Sequence, residues 1–152
     1  FRPESARGCG VPEGPLWSQL QRGQSVDLPD GSVVRPEDVM GRARSGRKFS
    51  YVTDTRYFNG IAPEVTGSDV LICEGMFAND LADSAREKQH LTAVQAATVA
   101  RDAGDVLKMG LIHYSPRYTE RDLRRLVAEA RTVFPETFLT RDRQNIDIPF
   151  RN

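Results

Sequence analysis

The chain has 152 residues, of which 39% are hydrophobic, and its 21 Lys and Arg residues balance 21 Asp and Glu residues. This length suits one domain that buries roughly 70% of the surface exposed by the unfolded chain. The balanced charge provides no global attraction to nucleic acid, so binding of a polyanion requires a local basic patch or a metal. No apolar run approaches the roughly 20 residues that cross a bilayer, and we expect a soluble protein without a membrane partner.

The first residue is Phe1 rather than Met, so we expect the sequence to be a piece of a longer polypeptide. Cys9 and Cys73 form no CxxC pair. We therefore predict two free thiols, which favours a reducing, cytoplasmic environment.

The first part of the chain has few periodic signals. Residues 1–24 are rich in Gly, Pro and Arg, which predicts an irregular arm with one short helix around Leu16–Gln21. Two short apolar runs flank the tripeptide PDG at 29–31, and this turn chemistry favours a β-hairpin. Residues 41–48 (GRARSGRK) are predicted to form a flexible basic loop.

From residue 49 onward, predicted strands alternate with predicted helices, which indicates an α/β fold. Strands are predicted at Phe49–Thr53, Asp69–Cys73 and Lys108–His113, followed by two short β segments at Thr137–Thr140 and Asn145–Ile148. Two helices are predicted around Ala62–Thr66 and Leu81–Gln89. A third is predicted from a T-x-x-Q capping box at Thr92 to Ala103. A fourth begins after the capping residues Thr119 and Asp122, and its apolar stripe consists of Leu123, Leu126, Val127, Ala130 and Phe134.

Asp54, Glu74 and His113 each follow the end of a predicted strand. In α/β sheets the loops at that edge converge and bind ligands. Together with His90, the carboxylate of Asp54 and the imidazole of His113 suit hydrolytic metal chemistry. Each residue also has an ordinary structural interpretation: a turn-capping Asp, a solvated carboxylate, and a hydrogen-bonded histidine at a strand end.

His90 stands two residues before the helix N-cap Thr92, where the helix dipole disfavours an imidazolium. A carboxylate would compensate, and Glu74 is the natural candidate. Paired with Glu74, His90 would hold a proton near neutral pH and donate it to a leaving oxygen. The alternative is a residue that simply packs on the start of the helix.

Several motifs together resemble one known family. GVPEGPLWSQLQRGQ (10–24), SYVTDTRY, VLICEGMF, QHLTAVQAA and GLIHYSPRY occur in the order and approximate spacing of ribonuclease Z, the tRNA 3′-processing endonuclease family of the metallo-β-lactamase superfamily. The resemblance covers nearly the whole chain. It implies an α/β fold in which this chain is the C-terminal half of a metallo-β-lactamase-type αββα sandwich, with a β-hairpin and an irregular arm at the N-terminus. Residues 1–24 would end the tRNA-binding arm, and residues 25–152 would form the half-domain.

The resemblance also implies roles for the four ionisable residues. Asp54 of TDTR matches the metal-bridging aspartate, and His113 of IHYSPRY matches the last metal-binding histidine. Glu74 matches the essential glutamate of HEATF, and His90 matches the catalytic histidine of HST, the general acid. The implied enzyme uses two zinc ions and a metal-bound hydroxide to remove the 3′ trailer of precursor tRNA, and it is a homodimer.

The sequence departs from the family pattern in several loops. Thr53 and Tyr57 replace a glycine and a proline, Cys73 replaces the histidine of HEATF, and Leu91 replaces the serine of HST. The HxHxDH motif and a further metal histidine do not occur in these 152 residues. Two protein ligands remain against the three of an ordinary catalytic zinc, so we expect the 152-residue chain alone to bind zinc weakly and to be inactive.

Basic and aromatic residues are candidates for contacts with the substrate. In the basic loop they are Arg42, Arg44, Arg47 and Lys48, which would contact phosphates. The alternative is a solvated charged loop. Arg117 and Tyr118 follow His113, and they either orient the scissile phosphate or buttress the loop.

Two other functions stay open at this point. One is a metallo-β-lactamase-fold arylsulfatase or small phosphodiesterase, since such proteins share the metal ligands. The other is a non-catalytic half-domain that binds RNA or a partner chain. Retention of the arm-like residues 1–24 favours tRNA, because a small ester would not need them.

Overall fold

The computed structural model describes residues 1–43 and 46–151. The chain forms two compact units, Phe1–Arg44 and Ser45–Asn152. Arg44, one of the predicted phosphate ligands, lies outside the described residues. Among the described residues, no helix combines the length and the apolar character needed to cross a bilayer.

Within residues 1–43, the first unit contains three short helices and a hairpin. They are α1 (Pro3–Gly8), α2 (Pro15–Gln21), β1 (Val26–Asp27), β2 (Val33–Val34) and α3 (Pro36–Val39). The predicted hairpin is confirmed, because β1 and β2 pair antiparallel around a turn in which Gly31 has a φ of +84°. One helix was predicted within residues 1–24, but the structure has two, and α1 was missed because it is short and begins at Pro3. Leu20 and Val39 are fully buried in a small core that belongs to this unit.

The second unit is built on a parallel sheet with the strand order β3-β4-β5-β6. Its elements in chain order are β3 (Phe49–Val52), α4 (Ile61–Val65), β4 (Val70–Glu74), a 3₁₀ turn (Asn79–Leu81), α5 (Ala82–Glu87), α6 (Ala93–Asp102), β5 (Met109–Ile112), α7 (Glu120–Arg131) and β6 (Thr137–Leu139). The predicted alternation of strands and helices is confirmed.

One face of the sheet carries the main core. Leu71, Cys73, Met109 and Leu111 alternate along β4 and β5 and pack with α6 and α7. Both predicted capping boxes are present: Thr92 with Gln95 begins α6, and Thr119 with Asp122 begins α7. Of the predicted stripe of α7, Leu126, Val127 and Ala130 are buried, whereas Phe134 lies beyond Arg131, the last residue of the helix. On the other face, Phe49 and Tyr51 of β3 are more than half exposed.

The predicted β segment at Asn145–Ile148 is wrong, because these residues join no strand. Side chains bind their backbone carbonyls instead of a neighbouring strand. Lys108 Nζ donates to the carbonyl oxygen of Asp147 at 2.7 Å, and an Arg47 Nη atom donates to that of Ile148 at 3.1 Å. Pro149, which has no N–H to donate, follows directly.

At the end of this segment, Arg151 fixes the chain to the amino-terminal edge of the sheet. Its guanidinium donates to Asp69 and to Asp105, each at 2.6 Å. Asp69 is buried and also accepts the backbone N–H of Lys48 at 2.6 Å. These contacts order the C-terminal segment without a β ladder.

Candidate metal centre

The carboxyl ends of three parallel strands bring Asp54, Glu74 and His113 to one edge of the sheet. Asp54 lies two residues after β3, Glu74 is the last residue of β4, and His113 follows β5 directly. The loop before α6 adds His90. One ligand atom from each of these four residues lies within 4.8 Å of the others. The structure therefore gathers all four predicted residues into one cluster.

The carboxyl group of Glu74 is fully buried and is held by three contacts. Its Oε1 accepts the backbone N–H of Thr55 at 2.5 Å. Its Oε2 accepts the backbone N–H of Leu91 at 3.2 Å and lies 3.0 Å from Nδ1 of His90. Both oxygens are thus satisfied, which a buried carboxyl group requires. Since its oxygens are engaged by the protein, Glu74 orients its neighbours.

The contact with Glu74 defines the orientation of His90. A carboxylate oxygen accepts, so Nδ1 of His90 is assigned as the donor and Nε2 is left for another partner. The imidazole side chain is 19% exposed, so it reaches the surface of the cluster. The backbone N–H of His90 donates to the carbonyl of Ala85 at 2.8 Å, and its ring meets that of His113 edge to face at 5.1 Å.

Asp54 and His113 form the open part of the cluster. Oδ1 of Asp54 lies 3.2 Å from Nδ1 of His113 and 4.0 Å from Nδ1 of His90. The contact with His113 lacks hydrogen-bond geometry, so the buried Nδ1 of His113 has no hydrogen-bond partner. Both residues also have left-handed backbone, with φ of +49° for Asp54 and +58° for His113. Unpartnered buried nitrogens and left-handed non-glycine residues are uncommon, and they concentrate at functional sites.

These features fit a pair of zinc ligands. Two ligands of one tetrahedral zinc, at bond lengths of roughly 2.0–2.1 Å, lie about 3.3 Å apart. The donor atoms of Asp54 and His113 are 3.2 Å apart, and the histidine nitrogen has no other partner. A catalytic zinc takes three protein ligands, so the described residues supply part of a donor set.

Arg117 and Tyr118 differ in their surroundings. The hydroxyl of Tyr118 accepts the backbone N–H of Ala78 at 2.9 Å, and its ring packs against the core, which is the position of a buttress. Arg117 is exposed, donates to Ser115 Oγ at 2.9 Å, and places its guanidinium 5.6 Å from the ring centre of Phe77. Of the two residues, Arg117 therefore presents an exposed positive charge on the loop that carries His113.

Within the second unit, the structure does not bring Arg47 and Lys48 to the cluster. Arg47 and Lys48 precede β3 and therefore lie at its amino end, whereas Asp54 lies past its carboxyl end. Lys48 Nζ donates to the carbonyl oxygens of Glu64 and Thr66, each at 2.8 Å. Arg42 is exposed within the first unit. Phosphate binding by these residues stays a prediction. A phosphate bound by Arg47 or Lys48 would lie away from the cluster.

Sequence reasoning missed two contributions to the site. The backbone donors of Thr55 and Leu91 hold Glu74, and a side-chain pattern cannot show them, although each follows a predicted site residue directly. A cavity of about 290 Å³ also adjoins His113, and Thr140, Arg141 and Gln144 are among the residues that line it. No signal in the sequence pointed to this cavity.

Comparison with known proteins gives a consistent result. No family model matches the chain. The chain is 55% identical over 152 residues to the ribonuclease Z of Treponema denticola, a match that covers 100% of this chain and 49% of that protein. It is 54% identical over 151 residues to the ribonuclease Z of Treponema pallidum strain Nichols and 40% identical over 151 residues to that of Methanosarcina acetivorans, each covering 99% of this chain and 48% of the relative.

Two solved structures resemble the fold. Human tRNase Z, short form, matches with a TM-score of 0.53 and 26% identity, over 77% of this chain and 37% of that chain. The metallo-β-lactamase fold protein YhfI from Bacillus subtilis matches with a TM-score of 0.54 and 26% identity, over 61% of this chain and 36% of that chain. The predicted fold class is confirmed. The chain spans about half the length of the curated relatives it matches. Along nearly all of its own length it is similar to proteins named ribonuclease Z, and it has a metallo-β-lactamase type of fold.

Proposed function

We propose that this chain supplies part of the active site of a zinc-dependent endoribonuclease that removes the 3′ trailer of precursor tRNA. The observation that carries the proposal is the cluster of Asp54, Glu74, His90 and His113, found in a chain that is 55% identical to a ribonuclease Z. The other half of the donor set would come from protein outside these 152 residues.

Asp54 and His113 are the proposed metal ligands. Their facing donor atoms and the unpartnered Nδ1 of His113 support this role. When bound, a pair of zinc ions supplies Lewis-acid chemistry, polarising the phosphodiester and lowering the pKa of a water. The contribution of this chain is to hold the two donors at a fixed separation on the ends of β3 and β5.

His90 is the proposed general acid, and Glu74 is its positioning partner. The contact at 3.0 Å fixes the Nδ1 proton and turns Nε2 away from the buried carboxyl group. A proton on Nε2 would then pass to the leaving oxygen of the scissile phosphodiester. Glu74 would stabilise the imidazolium before this transfer, much as the aspartate of a catalytic triad stabilises its histidine.

The substrate assignment comes from the relatives. Proteins named ribonuclease Z and tRNase Z are similar to this chain, which favours precursor tRNA over the small esters of an arylsulfatase or phosphodiesterase. Arg117, exposed on the loop that follows His113, is the proposed ligand of the scissile phosphate. A homodimer and a cytoplasmic location are further parts of this proposal. The two cysteines of the described residues are free, as a reducing compartment requires.

The experiment is a cleavage assay of the protein as encoded, with its zinc bound. The substrates are a precursor tRNA with a 3′ trailer, the same tRNA without a trailer, bis-p-nitrophenyl phosphate and p-nitrophenyl sulfate. We expect one endonucleolytic cut at the 3′ end of the tRNA body that leaves a 3′-hydroxyl. Preference for p-nitrophenyl sulfate, or turnover of the phosphodiester without tRNA cleavage, would support the small-ester enzyme instead. Binding of RNA without any turnover would support the non-catalytic half-domain.

A further inference from the structure

The exposed face of α7 carries unpaired positive charge. Within Glu120–Arg131, the residues that point away from the core include Arg121, Arg124 and Arg131, all of them exposed. No hydrogen bond or ion pair involves the side chains of Arg121 and Arg124 among the described residues. Arg131 uses only its Nε, which donates to the carbonyl oxygen of Thr137 at 2.7 Å. We call these residues the arginine face.

Two of the acidic residues of α7 pair with arginines outside the arginine face. Glu120 pairs with Arg141 through two contacts at 3.0 and 3.1 Å. Asp122 accepts from Thr119 in the capping box, and the hydrogen bonds from Thr119, followed by the nearby charge of Arg121, lower its pKa, although no direct ion pair joins Asp122 to Arg121 among the described residues. Glu129 accepts from Arg125 at 2.8 Å. The positive charge of Arg121 and Arg124 is therefore available to a ligand.

The position of the arginine face connects it to the metal cluster. The loop of His113 and Arg117 leads directly into the first turn of α7, so the face begins near the edge where the cluster lies. Along the helix axis, Arg124 is about 4.5 Å beyond Arg121, and Arg131 is about 10 Å beyond Arg124. Arg124 and Arg131 also border a surface cavity of about 560 Å³, together with Val127, Ala128 and Leu139.

We propose that the arginine face binds backbone phosphates of the RNA substrate at a distance from the scissile bond. Guanidinium groups bind phosphate through paired N–H donors, and a row of them along one helix follows a phosphate backbone. This inference rests on the proposed function, which supplies the RNA. It adds a sequence-independent electrostatic contact that holds the RNA body while its 3′ end lies at the cluster.

The test is the salt dependence of binding between precursor tRNA and the full protein. Each phosphate contact contributes roughly 0.7–0.9 to the slope of log affinity against log salt concentration. We expect Arg121→Gln combined with Arg124→Gln to reduce that slope by about 1.5. The matched control is Arg125→Gln on the same helix, whose guanidinium is already bound to Asp80 and Glu129 at 2.9 and 2.8 Å and whose loss should leave the slope unchanged.

Two further measurements make the outcome decisive. Arg121→Lys with Arg124→Lys keeps the charge, so it should restore most of the slope, whereas a fold defect would not be repaired in this way. Equal slopes for the glutamine double variant, the Arg125→Gln control and the unchanged protein would overturn the inference, as would weakened binding with an unchanged slope. Because binding is measured apart from cleavage, a protein that fails to process tRNA but shows the reduced slope refutes the proposed function alone. Cleavage with an unchanged slope refutes the arginine face alone.

Discussion

Oδ1 of Asp54 lies 3.2 Å from Nδ1 of His113, yet the two groups form no hydrogen bond. The contrast with Glu74 is informative, because Glu74 uses both of its oxygens on protein donors and His90 is turned by one of them. Protein contacts therefore occupy both oxygens of Glu74 and Nδ1 of His90. The donor atoms of Asp54 and His113 instead face each other without a hydrogen bond. This difference separates proposed metal ligands from the proposed proton donor and its positioning residue.

The first prediction follows from that separation. In the full protein, Asp54→Ala should lose zinc, because it removes one of two facing donors. His90→Ala should keep a near-normal zinc content and lower turnover by about 10²–10⁴-fold, the usual contribution of a general acid. Metal analysis of the purified variants beside single-turnover cleavage rates checks both. Equal loss of zinc in the two variants would contradict the division of roles.

The 152-residue chain by itself should bind zinc weakly and should not cleave precursor tRNA. It offers Asp54 and His113 as open donors, fewer than the three ligands of an ordinary catalytic zinc. Titration of the isolated chain with zinc, followed by calorimetry, measures the affinity. Stoichiometric tight binding accompanied by turnover would show that the donor set is complete within the chain.

Loss of the capping box of α6 should lower the stability of the chain and also slow cleavage at the cluster. Thr92→Ala removes a side chain that accepts the N–H of Gln95 at 3.1 Å, at a cost of about 1 kcal/mol in the free energy of unfolding. The control is Ser68→Ala at the amino-terminal edge of the sheet, which removes the hydrogen bond from Ser68 Oγ to the carbonyl oxygen of Val65 at 2.6 Å, with a similar cost. Since His90 lies two residues before Thr92, only Thr92→Ala should also slow cleavage. Urea denaturation and cleavage rates distinguish them, and equal rates for the two variants would argue against coupling.

The two cysteines should differ sharply in reactivity. Cys9 is exposed and Cys73 is fully buried. Burial, followed by the nearby charge of Glu74, raises the pKa of the Cys73 thiol far above its ordinary value, so it stays protonated and unreactive. A thiol reagent at pH 8 should modify Cys9 alone in the native chain and both residues in urea. Mass spectrometry counts the adducts, and rapid modification of native Cys73 would show that β4 opens readily.

The clamp between Asp69 and Arg151 should make stability depend on pH. The hydrogen bond from Arg151, and then the N–H of Lys48, lower the pKa of the Asp69 carboxyl group in the folded state. A depressed carboxyl pKa contributes stability above the pKa of the unfolded chain, and this contribution is lost as pH falls through the folded value. Asp69→Asn should therefore flatten the loss of stability as the pH falls below the ordinary pKa of an aspartate. Asp83→Asn, on the exposed surface of α5, is the control and should leave the curve unchanged.

Much of this architecture could be predicted because it depends on local signals. The capping residues Thr92 and Thr119 mark helix starts through their own side chains, and the stripe of α7 has the helical period. The cluster was predictable for a topological reason, since residues at the carboxyl ends of parallel strands meet at one edge. Asp54 and His113 needed only the strand positions to be placed together.

The remainder depends on long-range contacts that a single sequence does not display. Ile148 was predicted to end a short β segment, but its carbonyl is bound by Arg47, far away in the chain. Lys48 appeared free to bind phosphate, yet two backbone carbonyls engage its ammonium group. In both cases the partners are backbone atoms or distant residues, which neither composition nor periodicity reports.

The left-handed backbone at Asp54 and His113 restricts how this centre can be altered. Aspartate and histidine tolerate that conformation better than most residues, and β-branched residues tolerate it worst. A redesign toward a different ion would have to change the coordinating chemistry and the loop geometry together, because a replacement side chain that relaxes φ would also swing away from its partner. Donor identity and main-chain shape would therefore be expected to vary as a unit when this scaffold is adapted to other metals.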